Sequence, residues 1–223
     1  LDVDGDTSIT SDTDDQIDFK VGGTDRMHLV AEKLGIGETS PLGTLHVKTS
    51  DSGASAGSNE DDLVVESSGN TGISILSATD GSGSLTFGDS GDNDIGEIRY
   101  DHTDNAILFI GNASEKMRIQ DGGAVLIGTT SNLIYDDTSG DGGIVFNYGD
   151  ANYIQAKRSS GGLMYLNRIS DDGPLIVFYQ DGNSEGNISV SGSTVTLNGF
   201  SGQHESSGIA TDTPKGTVVS TID

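Results

Sequence analysis

The sequence predicts an all-β protein of short strands with little or no helix, whose cores are completed by neighbouring copies of itself. Three observations carry this expectation. Isoleucine and valine outnumber leucine by about two to one, the bias of strands. The 33 glycines break the chain so often that few windows hold three helical turns, since glycine costs about 1 kcal/mol against alanine inside a helix. Finally, 32% hydrophobic residues, six Phe, six Tyr and no Trp are poor material for one globular core of 223 residues, where roughly 45–50% apolar composition is usual. Leu, Ile, Val and Phe still reach about 24%, above the level of roughly 20% at which disorder becomes the default. The chain therefore folds, but on thin cores.

The best helical window, Thr24 to Leu34, contains Val30 and is closed by Gly23 and Gly35, so it reads better as strands. A first β-repeat module is expected over 1–49. Residues 50–62 are rich in Ser, Gly and Asp and read as a linker or long loop. A second β-module is expected over 63–131, with strands at Leu63–Val65, Ile73–Ile75, Leu85–Phe87 and Ile95–Tyr100 between Gly, Asp and Asn turns. A third, over 132–200, carries Ile144–Phe146, Tyr153–Ile154, Leu163–Leu166 and Leu175–Tyr179. There Asp181-Gly182 turns the chain into Ile188–Val190 and Val195–Leu197. The polar stretch 201–223 ends in a strand-like run, and the chain opens on Leu1. It is therefore expected to be a piece of a longer polypeptide, with 201–223 leading into a further C-terminal domain.

Internal repetition is the strongest signal. Phe19 to Leu29 followed by Leu34 to Ser40 recurs as Phe109 to Ile119 followed by Leu126 to Ser131. The offset is 90 at Met27/Met117 and 91 at Gly37/Gly128, so one residue is inserted between them. Apolar residues alternate within each copy (Met27/Leu29, Met117/Ile119), which gives one buried and one exposed face. Each strand then offers two or three inward side chains, and so small a hairpin is marginal alone. It needs stacked repeats or identical chains around an axis. Identical chains are favoured, because the repeat is long and irregular for a single-chain coil of short rungs.

These two copies resemble a module of phage tail fibres, particularly those of marine and cyanobacterial phages. The first copy carries Asp25-Arg-Met-His-Leu29, Leu34-Gly-Ile-Gly-Glu-Thr-Ser-Pro41 and Thr44-Leu-His-Val47. The second carries Glu115-Lys-Met-Arg-Ile119 and Leu126-Ile-Gly-Thr-Thr-Ser131, and lacks the Pro and the Thr-Leu-His-Val strand. Ile95 to Asn105 resembles the approach to the module, and Leu166 to Ile188 a strand pair upstream of an intramolecular chaperone domain. The resemblance implies an elongated homotrimeric fibre, triple β-helix or β-prism-like, on the virion and outside the cell. Its partners would be its own copies, other tail or baseplate proteins, and a host surface glycan or protein. Its role would be spacing or host attachment, without enzymatic activity. A bacterial extracellular adhesin or filament subunit is the alternative, and a glycan-degrading tailspike a third reading.

Net charge is −24, which repels phosphate backbones and anionic headgroups, so neither nucleic acid nor membrane insertion is expected. There is no cysteine, hence no disulfide, thiolate metal site or thiol nucleophile. Gly53-Ala-Ser55-Ala-Gly57 fits the Gly-x-Ser-x-Gly pattern, but its flanks supply neither the strand-to-helix turn nor the base that the chemistry requires. His28, His46, His102 and His204 share no metal-ligand spacing; His28 and His46 are expected on strands, exposed or stacked near the axis. Asp2, Asp4, Asp6, Asp12, Asp14 and Asp15 invite calcium, yet an EF-hand loop needs Gly at its sixth position and Glu at its twelfth. Counted from Asp2, the twelfth is Thr13. Gly22-Gly-Thr-Asp25 matches part of a calcium-binding nonapeptide without a neighbouring copy, and Lys157-Arg158 is too small a basic patch to bind nucleic acid. No catalytic, cofactor or metal residue is expected.

Overall fold

The computed structural model describes residues 3–11, 13–138, 142–147 and 152–199; Asp2, Asp12, His204 and the expected lead-in 201–223 lie outside them. Every regular element among the described residues is a strand, in three sheets. The chain divides into two units, residues 1–132 with 146–153 and residues 133–145 with 154–223, each described by itself.

The first sheet holds β1 (Ser8–Thr10), β2 (Gln16–Val21), β3 (Thr24–Val30), β4 (Lys33–Ile36), β5 (Leu45–Lys48) and β6 (Leu63–Glu66), side by side in chain order. β1 to β4 form an antiparallel meander. β4, β5 and β6 are then parallel, with Leu34, Leu45 and Leu63 in one register and Ile36, Val47 and Val65 in another. The chain thus contributes three short parallel rungs of its own. Parallel neighbours normally need a crossover of about a dozen residues or more. Residues 37–44 manage with eight. Gly37 takes φ +76°, and a Cβ on Gly43 would lie 1.8 Å from the Asp61 carbonyl oxygen, so the loop closes only on glycine.

The second sheet runs in chain order from β7 (Ser82–Phe87) through β8 (Gly96–Asp101), β9 (Ala106–Gly111), β10 (Ser114–Ile119) and β11 (Val125–Ile127) to β12 (Gly143–Asn147) and β13 (Tyr153–Lys157). Within it β9-β10-β11 repeats β2-β3-β4. Phe19 pairs Met27, which pairs Ile36; Phe109 pairs Met117, which pairs Ile127. Both β-bulges fall one residue before the methionine. The hairpin turns use positive φ at Gly22-Gly23 and at Asn112-Ala113. In both copies the glycine after the third strand donates its N–H to the bulged residue's carbonyl, Gly37 to Arg26 and Gly128 to Lys116, each at 2.9 Å. The inserted residue falls in the turn between β10 and β11, where Gly123 takes φ +82°.

In the second unit, Gln155 Oε1 accepts the Ile134 and Tyr135 N–H groups at 2.8 and 3.1 Å, beside buried Ile134 and Val145. The third sheet, β14 (Gly173–Gln180), β15 (Asn183–Ser191) and β16 (Thr194–Asn198), is antiparallel. Asp181 and Gly182 turn its first hairpin with φ +50° and +81°. Two expected strands are not paired: residues 71–78 and 164–169 have neither ladder, turn nor bend.

Candidate functional site

Register assigns each residue of the first sheet to a face, and the faces differ in kind. One carries two apolar rows across the strands: Ile9, Phe19, Met27, Ile36, Val47 and Val65, then Ile17, Leu29, Leu34, Leu45 and Leu63. None of the eleven is buried, and Ile9 and Leu63 are 58% and 52% exposed. The opposite face carries Asp18, His28, Gly35, His46 and Glu66, all buried. The burial is inverted relative to a half-solvated sheet, whose apolar side normally packs on the core.

The polar side carries two hydrogen-bonded clusters. His28 Nδ1 lies 2.7 Å from Asp18 Oδ1, and the Gln16 amide donates to both Asp18 oxygens at 2.6 and 2.7 Å. These donors, Gln16 foremost, hold the Asp18 carboxyl below its ordinary value. In a second cluster, at the β5–β6 side of the sheet, Lys48 Nζ donates to Glu38 Oε2 at 2.5 Å and stands 3.6 Å from Glu66 Oε2. The Ser52 N–H and hydroxyl donate to Glu66 Oε1 at 2.6 and 2.8 Å. The Glu66 carboxyl is lowered to about 2 by the Ser52 N–H first and its hydroxyl next, against the cost of burial. Glu38 is lowered by the Lys48 ammonium and by the Ser40 N–H.

Glu38, His46 and Glu66 bring one ligand atom each within 4.8 Å of one another, a spacing that invites a cation. The hydrogen bonds oppose it. Leu42 N–H donates to His46 Nδ1 at 3.3 Å, so Nδ1 is an acceptor and Nε2 carries the proton. A histidine that ligates through Nε2 instead donates its other ring N–H to an acceptor. Nε2 lies 2.9 Å from Glu66 Oε2, off the line of a good hydrogen bond. The Lys48 ammonium already supplies the positive charge. The arrangement ties the loops 37–44 and 49–62 to the sheet through Glu38 and Ser52.

His28 and His46 are therefore covered by their own chain at 3% and 0% exposure, which corrects their expected place on the exposed or axial side. His102 stacks edge-on to Tyr100, with ring centroids 4.8 Å apart. Ser55 is exposed in a loop lining a hollow of about 330 Å³ over β6, and no histidine lines that hollow. Asp4, Asp6, Asp14 and Asp15 are exposed, the last two in the turn before β2, and Asp25 pairs Lys20 at 3.8 Å. Lys157 pairs Asp137 at 2.8 Å, while Arg158 donates to the Gly162 carbonyl.

The inverted pattern recurs in the second sheet. Leu85, Ile98, Phe109, Met117 and Ile127 form one apolar row, and Tyr100, Ile107, Ile119 and Val125 the next. The reverse face carries Glu97-Arg99 and Glu115-Arg118 ion pairs around buried Leu108 and Leu126. The third sheet gathers Ile176, Phe178, Ile188, Val190, Val195 and Leu197 on one side. Among the described residues, thirty-one large apolar side chains are exposed and six apolar side chains are buried. Exposed patches of this extent mark interaction surfaces. Comparison of the chain with protein-family models, curated proteins and solved structures finds no match in any of the three.

Proposed function

We propose that this chain is a structural segment of a homotrimeric fibre of the tail-fibre kind, a virion appendage that spaces or mediates attachment to a host cell. The observation that carries the reading is the bare apolar face on each of three sheets, backed in the first sheet by a polar face that the chain covers itself. A wall with its oily side outward is stable only when another wall covers it, and an identical copy presents the matching surface.

Three-fold closure fits the strand lengths. Packed sheets stand about 10 Å apart, so three walls around an axis each lie about 5 Å from it. A triangle closing at that distance has sides of about 17 Å, or about five residues of extended strand. The strands of the first sheet run from three to seven residues. In such a prism the cross-strand rows run along the axis and each strand contributes about two inward side chains, the number seen in both rows. The acidic surface keeps finished fibres apart, and the function asks nothing more of the carboxylates.

Light scattering coupled to size-exclusion chromatography tests this reading. The expected result is a mass of three chains with a radius too large for a sphere. A monodisperse single chain would overturn it, as would hydrolysis of a polysaccharide by the purified protein.

A further inference from the structure

Residues 71–78 make a straight, unpaired segment between β6 and β7. No turn, bend or ladder interrupts 71–78, and among the described residues no hydrogen bond reaches the backbone of 71–77. Ile73 and Leu76 are 66% and 91% exposed. The pattern Ile73-Ser74-Ile75 nevertheless has the period of a strand. Ile75 rests on Gly83, where a Cβ would come within 3.1 Å of Ile75 Cγ2. The absent side chain leaves room for the segment to cross β7 without pairing to it.

We infer that residues 71–78 form an inter-chain strand, laid along the free edge of β7 in a neighbouring copy. This rests on the assembly of identical copies proposed above. β7 is the terminal strand of its sheet and bonds only to β8, so its outer N–H and C=O groups are a template for another strand. Leu85 and Phe87, on the apolar face of that edge, are 54% and 58% exposed. Ile73 and Ile75 alternate in step with them, so an added strand would extend the apolar row by one rung. Every copy carries one donor segment and one acceptor edge, a head-to-tail match that closes into a ring under rotation. Main-chain hydrogen bonds supply the affinity in such strand addition, and the alternating side chains supply the register.

Hydrogen exchange by mass spectrometry, on a sample whose mass is measured at the same time, tests the inference. The expected result is exchange at alternate amides of 71–77, those that face the β7 edge, at least 100-fold slower than in the loop 50–62. Free exchange at 71–77 in a sample that is still trimeric would overturn the inference and leave the fibre reading standing. A single-chain mass would overturn both. Ser74→Pro and Ser77→Pro add an independent arm. Neither N–H is bonded within the chain, so both variants keep the single-chain fold, checked by circular dichroism. Successive N–H groups of a strand point to opposite sides, and these positions have opposite parity. One variant is expected to raise the concentration needed for assembly at least tenfold. Assembly of both at the wild-type concentration would count against the strand.

Discussion

Met27→Glu is expected to convert the assembly into single folded chains. Met27 is the centre of the longest apolar row, flanked by Phe19 and Ile36. It is half-buried in the single chain, so a carboxylate there stays hydrated while the chain is alone. Once copies close on that face, the charge enters an apolar space with two like charges beside it. An unpaired buried charge costs several kcal/mol after relaxation. About 4 kcal/mol corresponds to roughly a thousand-fold weaker association. Met117→Glu is the same change in the second copy of the repeat and has the same sign. Ser58→Glu adds equal charge to the exposed linker loop and leaves assembly intact. Sedimentation velocity of the three variants reads the difference; an assembled Met27→Glu would remove this face from the interface.

The second large effect is acid-induced opening of the loops over the polar face. Glu66, Glu38 and Asp18 all have carboxyls held below their ordinary values by the donors described above. A carboxyl depressed by folding stabilises the folded state fully above its unfolded value, here 4.5 for Glu66, and that contribution disappears as pH falls toward about 2. The thermal midpoint is therefore expected to fall continuously between pH 4.5 and about 2. Glu66→Gln keeps the shape but removes the titration, so its midpoint is lower at neutral pH and flatter across the acid window, with Glu38 and Asp18 carrying the remaining slope. A wild-type midpoint constant over this window would show that the Ser52 and Lys48 contacts do not bind the ionised form.

Much of the fold is legible in the residues, and the reasons differ by element. The repeat is legible because its positions are fixed by backbone geometry: the left-handed glycines Gly37 and Gly128 and the paired Met27 and Met117 are required at set points in each copy. The turn at Asp181-Gly182 is legible for the same reason. The parallel rungs β4, β5 and β6 are not, because their period is uneven. Leu34, Leu45 and Leu63 are eleven and eighteen residues apart, and only the loops' contacts with Asp61 and Glu66 set the register. The buried polar clusters are not legible, because their parts lie on four strands and two loops. Their one signal is alternation, since His46 and Lys48, like Val64 and Glu66, share a side. Strand character at Ile73–Ile75 and Leu163–Leu166 reads clearly from sequence, yet a ladder requires a partner that a single chain does not offer.

Methionine oxidation measures, at two points on the apolar faces, whether sister copies cover them. Peroxide or radical footprinting of Met27 and Met117 across a dilution series is expected to give slow oxidation while the chains are assembled and a sharp rise on dissociation. Rapid oxidation of both sulfurs, unchanged from the highest concentration to the lowest, would contradict that coverage.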